Sequence, residues 1–303
     1  MSKAASSIII EAVPNFSEGR DKKKIEAIKE AFLSTKEIQL LDIHSDQDHN
    51  RSVFTIIGPP QKITEACFKA TQKAAQIINL NNHSGIHPFI GATDVIPLIP
   101  LKNITYKETI KLAVKLAQKI SKNLAIPTYL YEKAARETKR KNLAYIRNKG
   151  FKKLKTLIKT NPNYFPDFGP QKLNKAGATM VSVRKALIAY NINISSKDKD
   201  TVKNAAQLLR GSSGGLAHVK ALGVQLKSRN LDQITMNLTN YKKTSIKKVF
   251  EEVQKLSKKL NFQIVESELV GLLPPDALKG TSAKQLLIKN FHPQKSFLPY
   301  LPK

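Results

Sequence analysis

The sequence predicts an α/β protein, an α+β sandwich of two packed α/β subdomains, each a mixed β-sheet covered by helices. Three observations carry this expectation. Short runs of branched apolar residues alternate along the chain with segments of helical period. A stretch rich in Pro, Gly and Asn at 161–177 separates two such alternating halves and reads as a linker or long functional loop. With 303 residues, 41% of them hydrophobic, the chain is long enough for two cores. The subdomains are expected at 1–180 and 181–303.

Residues 8–13 form an apolar run ended by Pro14-Asn15, a buried strand meeting a turn. A helix follows over 21–33, with Ile25, Ile28, Ala31 and Phe32 at helical spacing. Runs 38–43 and 52–57 are strands rich in branched residues, the second closed by Gly58-Pro59-Pro60. Ala66, Ala70, Ala74 and Ile77 share one face of a helix over 63–78, and a histidine-bearing loop then leads into a strand over 94–101. Thr105 and Glu108 form a capping-box signature for a helix through Leu124. Residues 128–131 read as a strand and 132–164 as a lysine-rich, mostly helical stretch. The second half begins near Ala178. It has strand-like 185–194, helix 200–209, strands 219–226 and 233–238, helix 245–260 and strand 262–266, and the last dozen residues read as a loose tail.

Composition narrows the function classes. No apolar run approaches the roughly 18 residues needed to cross a bilayer, and the N-terminus lacks a signal-peptide core. The single cysteine, Cys67, excludes an internal disulfide and a multi-cysteine metal site, which suits a reducing, cytoplasmic home. The net charge of +28 invites a nucleic-acid reading. The lysines are spread along the whole chain, however, and frequent Lys, Asn and Ile match the codon bias of an AT-rich genome. A third reading is that positive charge concentrates small polyanions.

Five polar islands interrupt the strand patterns. In 82–95, His83 and His87 stand among Gly85, Pro88, Gly91 and Asp94. A loop imidazole is a natural proton-transfer group, and a capped turn is the competing reading. The segment 13–20, Val-Pro-Asn-Phe-Ser-Glu-Gly-Arg, is either an anion-binding helix start or an ordinary capped turn. The segment 42–51 holds His44, His49 and three aspartates but no convincing further ligands at helical spacing, so a capping or ligand-binding loop competes with a metal site. In 166–177, Phe168 beside Gly169 offers a flat face and close backbone approach, and the loop is too poor in glycine for a phosphate cradle. In 184–193, Asn191 and Asn193 sit in a strand pattern where Asn is disfavoured; they bond either a ligand or neighbouring backbone.

Taken together and in order, these islands carry a resemblance. VPNFSEGR at 13–20, DHNRSVFT at 48–55, HSGIHP at 83–88, GATDVIPLIP at 91–100, YLYEKAA at 129–135, PDFGP at 166–170, GAT at 177–179, RKALIAYNINI at 184–194, QITMNLTNY at 233–241 and SELVGLLPPDAL at 267–278 resemble the formimidoyltransferase family. That domain is also the N-terminal half of bifunctional formimidoyltransferase-cyclodeaminases; residues 8–280 are covered, and no sequence is left for a cyclodeaminase domain. The resemblance implies transfer of a formimidoyl group from N-formimidoyl-L-glutamate to tetrahydrofolate as co-substrate, without metal, in a homodimer; with the composition above, the expectation is a cytoplasmic protein with no membrane partner, nucleic acid being the less favoured reading of its charge. The resemblance also implies a ligand cleft between the subdomains. It puts the catalytic histidine at His87 and the folate loop at Gly169, Pro170, Gln171, Lys172, Leu173, Asn174, Lys175, Ala176 and Gly177. Arg51, Arg184 and Lys172 suit the substrate carboxylates, and Asn191 is a further binding candidate. Asp94 steadies the amidinium or serves the loop's structure.

The chain departs from the family at Phe89, where Arg usually follows His-Pro, and in a folate loop one residue shorter that carries Lys172 and Lys175. Nearby lysines are expected to replace the lost arginine. Formyl transfer between 5-formyltetrahydrofolate and glutamate, and a non-catalytic basic binding protein, are the alternative functions.

Overall fold

The computed structural model describes residues 8–196, 198, 200–289 and 291–293. The chain divides into two compact units, the first running to Arg184 and the second beginning at Lys185. The expected tail from 294 onward lies outside the described residues, as do 1–7.

The first unit is built on a seven-stranded mixed sheet. Its elements are β1 (Ile9–Ala12), β2 (Asn15–Phe16), α1 (Lys22–Leu33), β3 (Gln39–Asp46), β4 (Arg51–Gly58), α2 (Pro60–Ile77), β5 (Thr93–Lys102), α3 (Tyr106–Leu124), β6 (Thr128–Glu132), α4 (Ala144–Arg147), α5 (Gly150–Thr160) and β7 (Thr179–Val183). β1 and β2 are one strand broken at Pro14, which has no N–H to give a ladder, and both halves pair with β4 and β5. β5, β7 and β6 run parallel, and β3–β4 is an antiparallel hairpin at the edge. Asp21 caps α1, and the capping box of Thr105 and Glu108 starts α3. α1, α2 and α3 pack together and against the sheet, burying Ile28, Phe32, Ile63, Ala70, Ala117 and Ile120 with Phe54, Ile56, Ile96 and Leu98 in one core.

The second unit has β8 (Ile188–Ser195), α6 (Thr201–Leu209), β9 (Val219–Leu226), β10 (Leu231–Leu238), α7 (Ile246–Leu260) and β11 (Gln263–Val270). Its sheet, ordered β11-β8-β10-β9, is antiparallel throughout rather than mixed. Ile188, Tyr190, Ile192 and Ile194 alternate onto the face covered by α6 and α7, giving a second core.

One stretch differs from expectation. The run 185–194 holds only β8, while β7 precedes it. β7, Thr-Met-Val-Ser-Val, is buried at every position between parallel neighbours, so it lacks the alternation that marks a half-exposed strand. Because β7 lies between β5 and β6, the first unit ends four residues beyond the join expected after 180. The stretch 132–164 is mostly helical as expected, but in short pieces: 3₁₀ turns at Thr138–Lys141 and Pro162–Tyr164 beside the helices α4 and α5. Glu132 and Gly150, both in the left-handed region (φ 54° and 68°), interrupt it.

Candidate active site

Three segments of the first unit interlock around the histidine loop. Ser17 Oγ donates to Gly91 O (2.7 Å) and Ser17 N to Ala92 O (2.9 Å). Asn50 Oδ1 accepts from Gly19 N (2.9 Å), its Nδ2 donates to Ser84 O (2.9 Å), and Ile86 N donates to Asp48 O (3.2 Å). The segments 13–20, 46–51 and 83–94 are thus one structure.

His87 lies on this loop beside a small pocket that also touches His49, Arg51, His83, Phe89, Asp94 and Arg147. Its free space, about 10 Å³, is that of a single water, far below the roughly 300–1,000 Å³ of a whole-ligand pocket. His87 Nδ1 is 3.1 Å from Arg147 Nη2 and 3.0 Å from Pro88 O. Burial, then the Arg147 and Arg51 guanidiniums, hold the His87 pKa well below the usual histidine value. At pH 7 the ring is neutral.

The cations beside His87 are Arg51 and Arg147, not lysines. Arg51 begins β4, and its Nη2 donates to Asn15 Oδ1 while its Nε is buried with no hydrogen-bond partner. Burial and the Arg147 charge push the Arg51 pKa down to about 9. Arg147, at the end of α4, donates from Nε to Pro88 O (3.0 Å) and lies 2.8 Å from Asp94 Oδ2. Asp94 Oδ1 accepts from Ile90 N (2.8 Å). Asp94 therefore braces the loop and Arg147, its structural alternative. His83 packs edge-on against Phe89, centroids 4.3 Å apart, and its Nδ1 lies 3.3 Å from Asn50 Nδ2. Phe89 fills space beside a supporting imidazole. The His49 ring stands 5.8 Å from that of His87.

The remaining expected residues are placed as follows. In the 169–177 loop, Gly169 and Gly177 take positive φ (96° and 74°). Pro170, Gln171 and Lys172 are exposed, and Leu173 and Ala176 are buried in the first core. Asn174 Oδ1 accepts from Ala176 N (2.8 Å), and Lys175 Nζ donates to Gln76 O (3.2 Å). The loop's end joins the histidine loop through its backbone: Ala92 N donates to Ala176 O (2.8 Å) and Ala178 N to Ile90 O (2.9 Å). Its start is held by Asp167, which accepts from Leu130 N (2.7 Å) and pairs with buried Arg140 (3.0 Å). Arg184, beyond β7, lies near Glu11, whose burial pushes its pKa up to about 7 against the lowering pull of that guanidinium. In the second unit, Asn191 Nδ2 donates to Glu268 Oε1 (3.1 Å), and Gln233 Nε2 donates to the same oxygen (2.8 Å) and to Asn193 Oδ1 (2.9 Å). The two asparagines in β8 thus bond an amide and carboxylate network rather than backbone. Among the described residues, no group of three His, Cys, Asp or Glu side chains stands together to hold a metal. No described helix is long and apolar enough to cross a membrane.

Sequence reasoning missed Arg147, Arg140 and Asn15. One signal was present: only eight of the 51 basic residues are arginine, so a chain biased to lysine keeps Arg where a planar fork is needed.

Comparison with known proteins addresses both units. The formiminotransferase domain, N-terminal subdomain, matches residues 9–184, and the formiminotransferase domain matches 189–293. The chain is 41% identical to a glutamate formimidoyltransferase of Thermoplasma acidophilum, covering 93% of this chain and 94% of that protein. It is 36% identical to the Streptococcus pyogenes glutamate formimidoyltransferase over 96% and 97% of the two chains. Against the formimidoyltransferase-cyclodeaminase of Sus scrofa it is 37% identical and spans 52% of that protein. Matched in order across both units, and over nearly their whole length by single-function relatives, the chain belongs to the formiminotransferase family.

Proposed function

We propose that the protein transfers the formimidoyl group of N-formimidoyl-L-glutamate to tetrahydrofolate, giving 5-formimidoyltetrahydrofolate and L-glutamate. The observation that carries this is a neutral His87 in contact with Arg147, with Arg51, which keeps a buried donor without a partner, lining the same pocket. Arg51 and Arg147 share one braced carboxylate, Asp94, so the pocket retains positive charge for a substrate carboxylate. His87 accepts the proton freed when the folate nitrogen attacks the amidine carbon, then returns it to the departing α-amine. Gly169–Gly177 serves as the folate loop, with Arg184 and Asn191 as further binding residues.

The family likeness and the lone buried Cys67 support a cytoplasmic homodimer. Sedimentation at assay concentration tests the dimer. Turnover is tested with tetrahydrofolate and formimidoylglutamate, following the folate product. His87→Ala is expected to lose on the order of 10²–10⁴-fold in kcat, the usual contribution of general acid–base catalysis. Unchanged turnover in that variant removes His87 from the mechanism.

A further inference from the structure

The Arg147 guanidinium does more to His87 than exclude its charged form. Its Nε–H is directed at Pro88 O (3.0 Å) while its Nη2 lies 3.1 Å from His87 Nδ1, so one planar fork faces two atoms. Nδ1 also lies 3.0 Å from Pro88 O. It therefore has two rival partners, a carbonyl that only accepts and a guanidinium that only donates. One tautomer cannot serve both. With its hydrogen on Nδ1, the ring N–H meets Nη2–H and the fork loses an arm. With the hydrogen on Nε2, Nδ1 and Pro88 O both accept from the fork, and the cation between them offsets the crowding of their lone pairs. Charge-assisted hydrogen bonds are roughly twice as strong as neutral ones, so the second arrangement wins. Asp94 is the counter-ion of the fork, with Oδ2 2.8 Å from Arg147 Nε but accepting no hydrogen bond, and Oδ1 tied to Ile90 N.

We infer that Arg147 fixes His87 of the ligand-free protein as the Nε2–H tautomer, acting as a positioning residue for the imidazole. The ring nitrogen not engaged by Arg147 or Pro88 then carries hydrogen and is a donor. The functional weight of this rests on the proposed role of His87 as base. An Nε2 lone pair exists only after the proton on Nε2 leaves to solvent, another arrives on Nδ1, and Nη2 withdraws so that Nδ1–H turns to Pro88 O. Arg147 thereby acts as a latch on the base form.

Long-range ¹H–¹⁵N spectra of ligand-free, ¹⁵N-histidine-labelled protein read the tautomer directly. His87 is assigned among the six histidines by the signals missing in His87→Gln. The wild type is expected to show a protonated, pyrrole-type Nε2 and a pyridine-type Nδ1. Arg147→Met is expected to invert that pattern, as is Arg147→Gln, a second neutral variant should the first not fold. A pyrrole-type Nδ1 in the wild type overturns the inference. An unchanged Nε2–H pattern in a folded Arg147 variant overturns it as well. The readout needs no substrate, so it fails or stands apart from the transfer assay.

Discussion

At the residue scale, the charge states of half-buried His87 and buried Glu11 set measurable pH behaviour. Burial, Arg147 and Arg51 depress the His87 pKa, so the neutral ring persists into mildly acidic solution. The acidic limb of the kcat/KM profile is expected to lie below about 6.5, the ordinary histidine value. Arg51→Met removes one of the depressing charges and is expected to move that limb upward; a limb unmoved by the substitution contradicts the assignment. Glu11 behaves with the opposite sign. Its folded pKa is raised to about 7 from 4.5, chiefly by burial. The folded state therefore holds a proton that the unfolded chain gives up. The associated stability is complete below about 4.5 and is lost as pH rises through about 7. Thermal unfolding of Glu11→Gln, compared with wild type from pH 5 to 8, is expected to lack this decline.

At the scale of elements, the site depends on loops that touch through backbone. A Cβ at Gly91 would collide with the Ala178 carbonyl, where the histidine loop meets the end of the 169–177 loop. Gly91→Ala is expected to destabilise the fold by roughly 3 kcal/mol or more, since backbone must move on one side. Arg140 and Asp167 form a buried pair that pins the start of the 169–177 loop. Breaking such a pair costs about 3–5 kcal/mol, so Arg140→Ala is expected to show that loss in chemical denaturation. Phe89 adds a different test. Arg147 already places a cation on His87, and Phe89 packs on His83. Phe89→Arg is expected to change kcat/KM by less than about tenfold, or ~1.4 kcal/mol. A gain of orders of magnitude would show that the pocket lacks an arginine after all.

At the scale of the molecule, the +28 charge yields a prediction about substrate capture. KM for the anionic substrates is expected to rise, with kcat steady, as ionic strength passes about 0.1 M and the Debye length shrinks to about 10 Å. Most of the fold was legible in the sequence because its amphipathic elements announce themselves. Helices α1, α3 and α7 carry an apolar stripe and a side-chain cap, and β8 alternates apolar and polar residues. β7 was not legible, because a strand buried on both faces has no periodic signature. His87 and Arg51 stand out in the sequence by residue type and by the motifs around them. Arg147 sits 60 residues from His87 in a lysine-rich stretch, and no local pattern pairs them. The sequence by itself determined the alternation of elements, the family and the proposal of His87, since periodicity, turn chemistry and ordered motifs are local properties of the chain. Tertiary structure alone decided which cations surround that histidine and which ring nitrogen carries its hydrogen. Those depend on donors and acceptors a few ångströms apart in space, brought together by packing between segments distant along the chain.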